Sequence, residues 1–137
     1  MAWYAAHAIM AFRLKEGVQG RLPVWENILL IEASTPHVAY ARAEARAKED
    51  EGDIGGTLAL GGRPCVQVFC GIRKLLTVSN PKDNDQPTNG AEISFTKLEV
   101  ADEEALQRLV RTKNVTVEYQ DERRMEERTE IPPELSQ

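Results

Sequence analysis

The sequence predicts an α+β fold with a mainly antiparallel sheet, in the order β-β-α-β-β-β-α-β, and an Ala-rich helix packed on one face. Two observations predict it. Apolar residues alternate with period two in several stretches, and these stretches are joined by short glycine-bearing turns, as hairpins require. A single long alanine-rich segment, opened by a hydroxyl and a proline, interrupts them. Runs of strands with hairpin links speak against a doubly wound parallel sheet.

The first strand is expected over Trp3 to Leu14, with Tyr4, Ala6, Ala8, Met10, Phe12 and Leu14 on its core face. The second is expected over Val24 to Ala33, and polar Lys15 to Leu22, with Gly17 and Gly20, makes the turn. A register with Leu14 opposite Pro23 brings Phe12 to Trp25, Ala8 to Leu29 and Ala6 to Ile31. It keeps every apolar partner on one face, which a one-residue slip would destroy. The same register sets His7 across from Leu30 and diagonal to Glu32, and Ala11 across from Glu26.

Ser34-Thr35-Pro36 starts a helix that runs to about Glu51, with Gly52 as its stop. Its alanines allow close approach to a sheet, with Val38 and Tyr40 as larger anchors. Thr57 to Leu60, Gly61-Gly62 and Pro64 to Val78 read as a hairpin. Gly71 inside the long second arm predicts a bulge or a close backbone approach. Ser79 to Gly90 reads as a polar loop and Glu92 to Val100 as a strand. Asp102 caps a short helix that is expected to bury Leu106, Leu109 and Val110, and Val115 to Tyr119 is a last strand. The domain is set at residues 1–119 and a charged C-terminal tail at 120–137.

The chain has 137 residues, enough for a core without a metal or disulfide staple. Its net charge is −5, of which residues 121–137 carry −3. Neutralising a polyanion needs clustered Lys and Arg, so no nucleic-acid partner is expected. No apolar run reaches bilayer-spanning length, and the positive charges Arg13 and Lys15 follow the first apolar stretch instead of preceding it. A cytoplasmic protein with no membrane partner is the expectation. Cys65 and Cys70, at odd spacing on one strand, point to opposite faces and read as two buried, reduced thiols.

Little in the sequence points to catalysis. Gly56 to Arg63 lacks the Lys-Ser/Thr and the following helix of a phosphate loop. No metal site or cofactor is expected: the acidic run Glu49, Asp50, Glu51 and Asp53 has no Ca²⁺-loop spacing. Of the two histidines, His37 falls in an exposed first helical turn. His7 is mid-strand, within reach of a carboxylate, and reads as a partly exposed or interface histidine with no nucleophile beside it. Glu26 and Glu32 share a strand face but lie ~20 Å apart, too far for a carboxylate pair. Arg73 and Lys74 read as solvated strand-end charges with some capacity for an anion.

The second face of the first hairpin is more informative. Trp3, Ala5, Ile9, Ala11, Ile28 and Leu30 form an apolar area rimmed by Glu26, Glu32, His7 and Arg13. Either the short second helix and tail cover it, or another subunit does, and an apolar patch rimmed by charge is typical of a protein contact.

W-Y-A-A at Trp3 to Ala6, V-W-E-N-I-L-L-I-E-A at Val24 to Ala33, the Ala-rich helix with Glu51-Gly52-Asp53, and V-F-C-G-I-R-K-L at Val68 to Leu75 resemble an uncharacterised bacterial family, domain of unknown function 4288. The likeness covers roughly Trp3 to Leu76. It implies a small bacterial α+β domain with no established activity to transfer, and with Trp3, Trp25, Glu26, Gly71 and Arg73 as motif residues.

The function expected from the sequence is therefore a binding module, a homodimer or a partner-binding protein, with Trp3, Ile9, Ile28 and Leu30 at the contact. The alternative is a small enzyme or ligand binder using His7, Glu26, Glu32 and Arg73.

Overall fold

The computed structural model describes residues 1–53, 55–78 and 86–120. Residues 121–137 of the charged tail and 79–85 of the polar loop lie outside the described residues.

The elements are β1 (Ala2–Leu14), β2 (Val24–Ala33), α1 (Pro36–Lys48), β3 (Ala59–Leu60), β4 (Arg63–Thr77), β5 (Leu98–Glu99), α2 (Glu103–Val110) and β6 (Glu118–Tyr119). The chain is α+β, in the predicted element order. Four strands form one antiparallel sheet in the order β2-β1-β4-β3, and β5 and β6 form a separate two-stranded ladder.

The long first strand sits at the centre because both of its faces are nearly apolar; Ala5, Ala6, Ala8, Met10 and Ala11 are all buried. Its pairing with β2 differs from the predicted register by two residues. Met10 faces Trp25, Ala8 faces Asn27, Ala6 faces Leu29 and Tyr4 faces Ile31. A two-residue slip preserves side-chain parity, so the core face is the predicted one. Phe12 and Trp25 still meet, edge to face at 4.9 Å between ring centroids, but as diagonal neighbours.

Helix α1 lies on that core face. Thr35 caps it, with Oγ1 accepting from Val38 N at 3.2 Å, and Pro36 fills the first turn. Ala39, Ala43 and Ala47 recur every fourth residue and are at most 2 % exposed, which brings the helix close to Tyr4, Ala6, Ile31 and Leu75. Val38 and Tyr40 pack at the margin of this core. The helix ends three residues before the predicted Glu51, because that acid turns back to β4: Glu51 Oε2 accepts from Phe69 N at 2.8 Å.

Gly61 (φ +58°) and Gly62 (φ +81°) make the tight turn between β3 and β4, a pair of left-handed residues that matches strand twist. Strand β4 pairs with β1 through two register shifts, one between His7 and Ala8 and one between Ile9 and Met10. Arg73 and Cys70 are the extra residues, on either side of Gly71 (φ +147°). The bulge predicted at Gly71 is thus present. It also places Cys70 on the surface, whereas Cys65 is buried and both are free thiols, so the expectation of two buried cysteines holds for Cys65 alone.

Three expectations for the C-terminal third are corrected, and of Val115 to Tyr119 only Glu118–Tyr119 is strand. Of Glu92 to Val100, only Leu98–Glu99 is strand, because the polar groups around Ser94 to Thr96 bond side chains of the main sheet instead of a strand ladder. Helix α2 buries none of its residues; Leu106 is 39 % and Val110 68 % exposed. A ladder of two-residue strands is too small to cover an apolar helix face.

Candidate functional site

The face of the main sheet opposite α1 carries a polar cluster. Strand parity aims His7 of β1, Glu26 of β2 and Lys74 of β4 to this side, and the bulge adds Arg73. In the observed register His7 faces Ile28 and stands diagonal to Glu26. His7 Nδ1 and Glu26 Oε2 are 2.6 Å apart. Glu32 faces Trp3 instead, and its carbonyl accepts from Arg42 Nη1 at 2.6 Å. Of the predicted polar residues the structure therefore brings together His7, Glu26 and Arg73, and leaves Glu32 outside. The two-residue slip decides this exchange of carboxylates.

His7 is 1 % exposed, so the expected partly exposed histidine is corrected to a buried one. Its second nitrogen, Nε2, is hydrogen-bonded to Ser94 Oγ. With the carboxyl oxygen of Glu26 accepting from Nδ1–H, Nε2 accepts from the Ser94 hydroxyl. Burial pushes the His7 pKa below its ordinary 6.5; the bond to Glu26 opposes this, and the Lys74 and Arg73 charges support it. The imidazole is neutral at pH 7.

Arg73 Nη1 lies 3.3 Å from the same Glu26 oxygen, and its guanidinium stacks 4.1 Å above the Tyr119 ring. Lys74 is 3 % exposed, donates to the Phe95 carbonyl and to Thr96 Oγ1, and lies 5.4 Å from the Phe95 ring centre. Neither is a solvated strand-end charge, as the sequence suggested. Together they hold the segment around Ser94–Thr96 and Tyr119 against the sheet. Ser94 escaped the sequence reading because its contact spans 87 positions and no local pattern announces it.

This docking settles part of the outer-face question. Ala5 and Ala11 are buried, and Trp3 and Ile9 are half-buried; Trp3 Nε1 has no hydrogen-bond partner among the described residues. Ile28 and Leu30, however, stay 47 % and 45 % exposed, beside Val24 and Trp25 at 50 % and 60 %. Among the described residues, segments cover β1 and β4 on this face and none covers β2. Trp25, placed by the sequence on the core side, reaches only its rim.

The acidic run after α1 is engaged in structure. Asp53 Oδ1 accepts from Leu58 N at 3.0 Å and Oδ2 from Lys15 at 3.3 Å, which hold its carboxyl below the usual range. Arg46 pairs with Asp50 at 3.1 Å. Among the described residues no three His, Cys, Asp or Glu side chains converge as metal ligands. A shallow groove of about 700 Å³ opens beside α2, lined by residues that include Arg21, Asp102, Arg108 and Thr116. It shares no residue with the His7 cluster. Asp102 is already the helix cap and Arg108 already donates to the Asn114 carbonyl. No described helix is long and apolar enough to cross a membrane.

No protein-family model matches the chain, and no curated protein or solved structure shows significant similarity to it.

Proposed function

We propose that the protein is a binding module that works through a protein contact along β2, with a second copy of the chain as its partner. The observation that carries the reading is the open edge of the main sheet. Strand β2 is a terminal strand. Phe12 N donates to Pro23 O, which fixes the ladder alternation: Trp25, Asn27, Leu29 and Ile31 turn their backbone groups to β1. Val24, Glu26, Ile28 and Leu30 therefore turn theirs outward.

Natural edges are blunted by lysine, proline, bulges or a covering segment. Between Val24 and Ala33 there is no lysine and no proline, and the pairing with β1 has no register shift. The four apolar side chains Val24, Trp25, Ile28 and Leu30 flank the outward backbone groups on both faces. Such an edge fits an added antiparallel strand.

The side chains select a register. With Val24 opposite Leu30 and Glu26 opposite Ile28 of the second copy, all four outward residues are used, and the Glu32 carbonyl stays with Arg42. Sliding the partner to set Ile28 opposite Leu30 would bring Glu26 against Glu32, a like-charge pair that destabilises.

Light scattering over a concentration series tests the reading. The wild-type chain is expected at about twice its 15.3 kDa mass, and Ile28→Glu at the single-chain mass. Ile28 is exposed, so circular dichroism of the variant should be unchanged. A wild-type chain that stays monomeric throughout, or a variant that stays dimeric, sinks the proposal.

A further inference from the structure

The hydrogen-bonded line Glu26–His7–Ser94 shares only Glu26 with the β2 contact, through the backbone of that residue, and it has a chemical character of its own. A serine hydroxyl is a weak nucleophile unless a base stands beside it and a third group holds that base in the right tautomer. All three elements are present. Glu26 accepts from Nδ1 at 2.6 Å, which leaves the lone pair of Nε2 directed at Ser94 Oγ. The three groups come from β2, β1 and the segment before β5, so they are fixed by tertiary packing.

Their exposure is graded. His7 is 1 % exposed while Ser94 is half-buried, so Ser94 is the member of the pair that lies nearer the surface. Lys74 bonds Phe95 O and Thr96 Oγ1, the two residues after Ser94, which fixes the segment that carries the hydroxyl.

We propose that Ser94 is a nucleophile that takes the acyl group of small carboxylic esters, with His7 as its general base and Glu26 as the residue that positions the imidazole. Ser94 Oγ attacks the ester carbonyl carbon while Nε2 takes the hydroxyl proton. The carbon–alkoxide bond breaks, and the alcohol leaves with the proton from Nε2. Water then attacks the acyl-serine carbonyl, giving a proton to Nε2. The carboxylic acid departs and the proton returns to Oγ. No oxidant or further reactant is consumed.

The test uses the full chain with p-nitrophenyl acetate and, separately, a fluorophosphonate reporter, read by peptide mass spectrometry. Expected are nitrophenolate release and an adduct on the peptide that holds Ser94. Ser94→Ala should abolish the adduct, and Glu26→Gln should slow it about 100-fold, the scale of a lost base-catalytic arrangement. The wild-type rate should fall in acid with an apparent pKa below the ordinary 6.5 of histidine, which a purely structural bond network would not produce. Thermal melts establish that each variant is folded. Should Ser94→Ala fail to fold, the labelled site and the pH profile of the wild type decide. No adduct on Ser94 in the folded wild type, or ester hydrolysis unchanged in folded Ser94→Ala, overturns the proposal.

Discussion

His7 Nδ1 on β1 donates to Glu26 Oε2 on β2 across 2.6 Å, inside a site where the histidine is all but sealed from solvent. Because burial holds its pKa below 6.5, the folded chain binds a proton at His7 less readily than the unfolded chain does. Between the lowered value and 6.5 the unfolded state carries the extra proton, so stability rises with pH there. The contribution is complete above about pH 6.5 and is lost as pH falls through the folded value. Melting temperatures taken from pH 8 downward should show this step, and His7→Gln should remove it. A step of the same size in the variant would assign it to another group.

Glu26 serves two donors, the His7 ring and Arg73. Glu26→Ala leaves a buried ring N–H without a partner, at a cost of about 1–3 kcal/mol. Glu26→Gln retains an acceptor and should cost less. Urea unfolding of the two variants measures the difference, and equal losses would show that Nδ1 finds another acceptor.

Lys74 ties the Phe95 carbonyl and Thr96 to β4. Lys74→Met keeps the apolar stem and removes the donor. Amide exchange should accelerate at Gln120, whose N–H bonds the Lys97 carbonyl at 2.8 Å, and in the β5–β6 ladder. The β1–β4 amides should remain protected. Uniform acceleration through both sheets would show that Lys74 supports the whole fold and not the docked segment.

Gly71 has φ +147°, a conformation that side chains disfavour. The space around a Cβ there is open, so only backbone strain opposes Gly71→Ala, about 1–3 kcal/mol. Gly20→Ala is the control, since Gly20 has neither a positive φ nor a close neighbour. Calorimetry should find the first variant destabilised and the second within about 0.5 kcal/mol of wild type.

The parity of the first hairpin, the capped alanine helix, the Gly61-Gly62 turn and the Gly71 bulge are all legible in sequence. Each follows from a repeat of two or four residues, or from a residue with one conformational use. The same patterns name His7, Glu26 and Arg73 as candidates. They mislead on Glu32, because parity fixes the face of a strand but is blind to a slip of two, and that slip chooses the carboxylate beside His7.

The sequence by itself determined the α+β class, the order of elements and the core face of β1 and β2, all set by short-range periodicity. Only the tertiary structure decided that Ser94 meets His7, that Lys74 and Arg73 are held in contacts instead of solvated, and that β2 keeps an exposed apolar strip. Those outcomes depend on where an irregular segment lands on the sheet. Its side-chain bonds join residues far apart in the chain, and no local repeat encodes them.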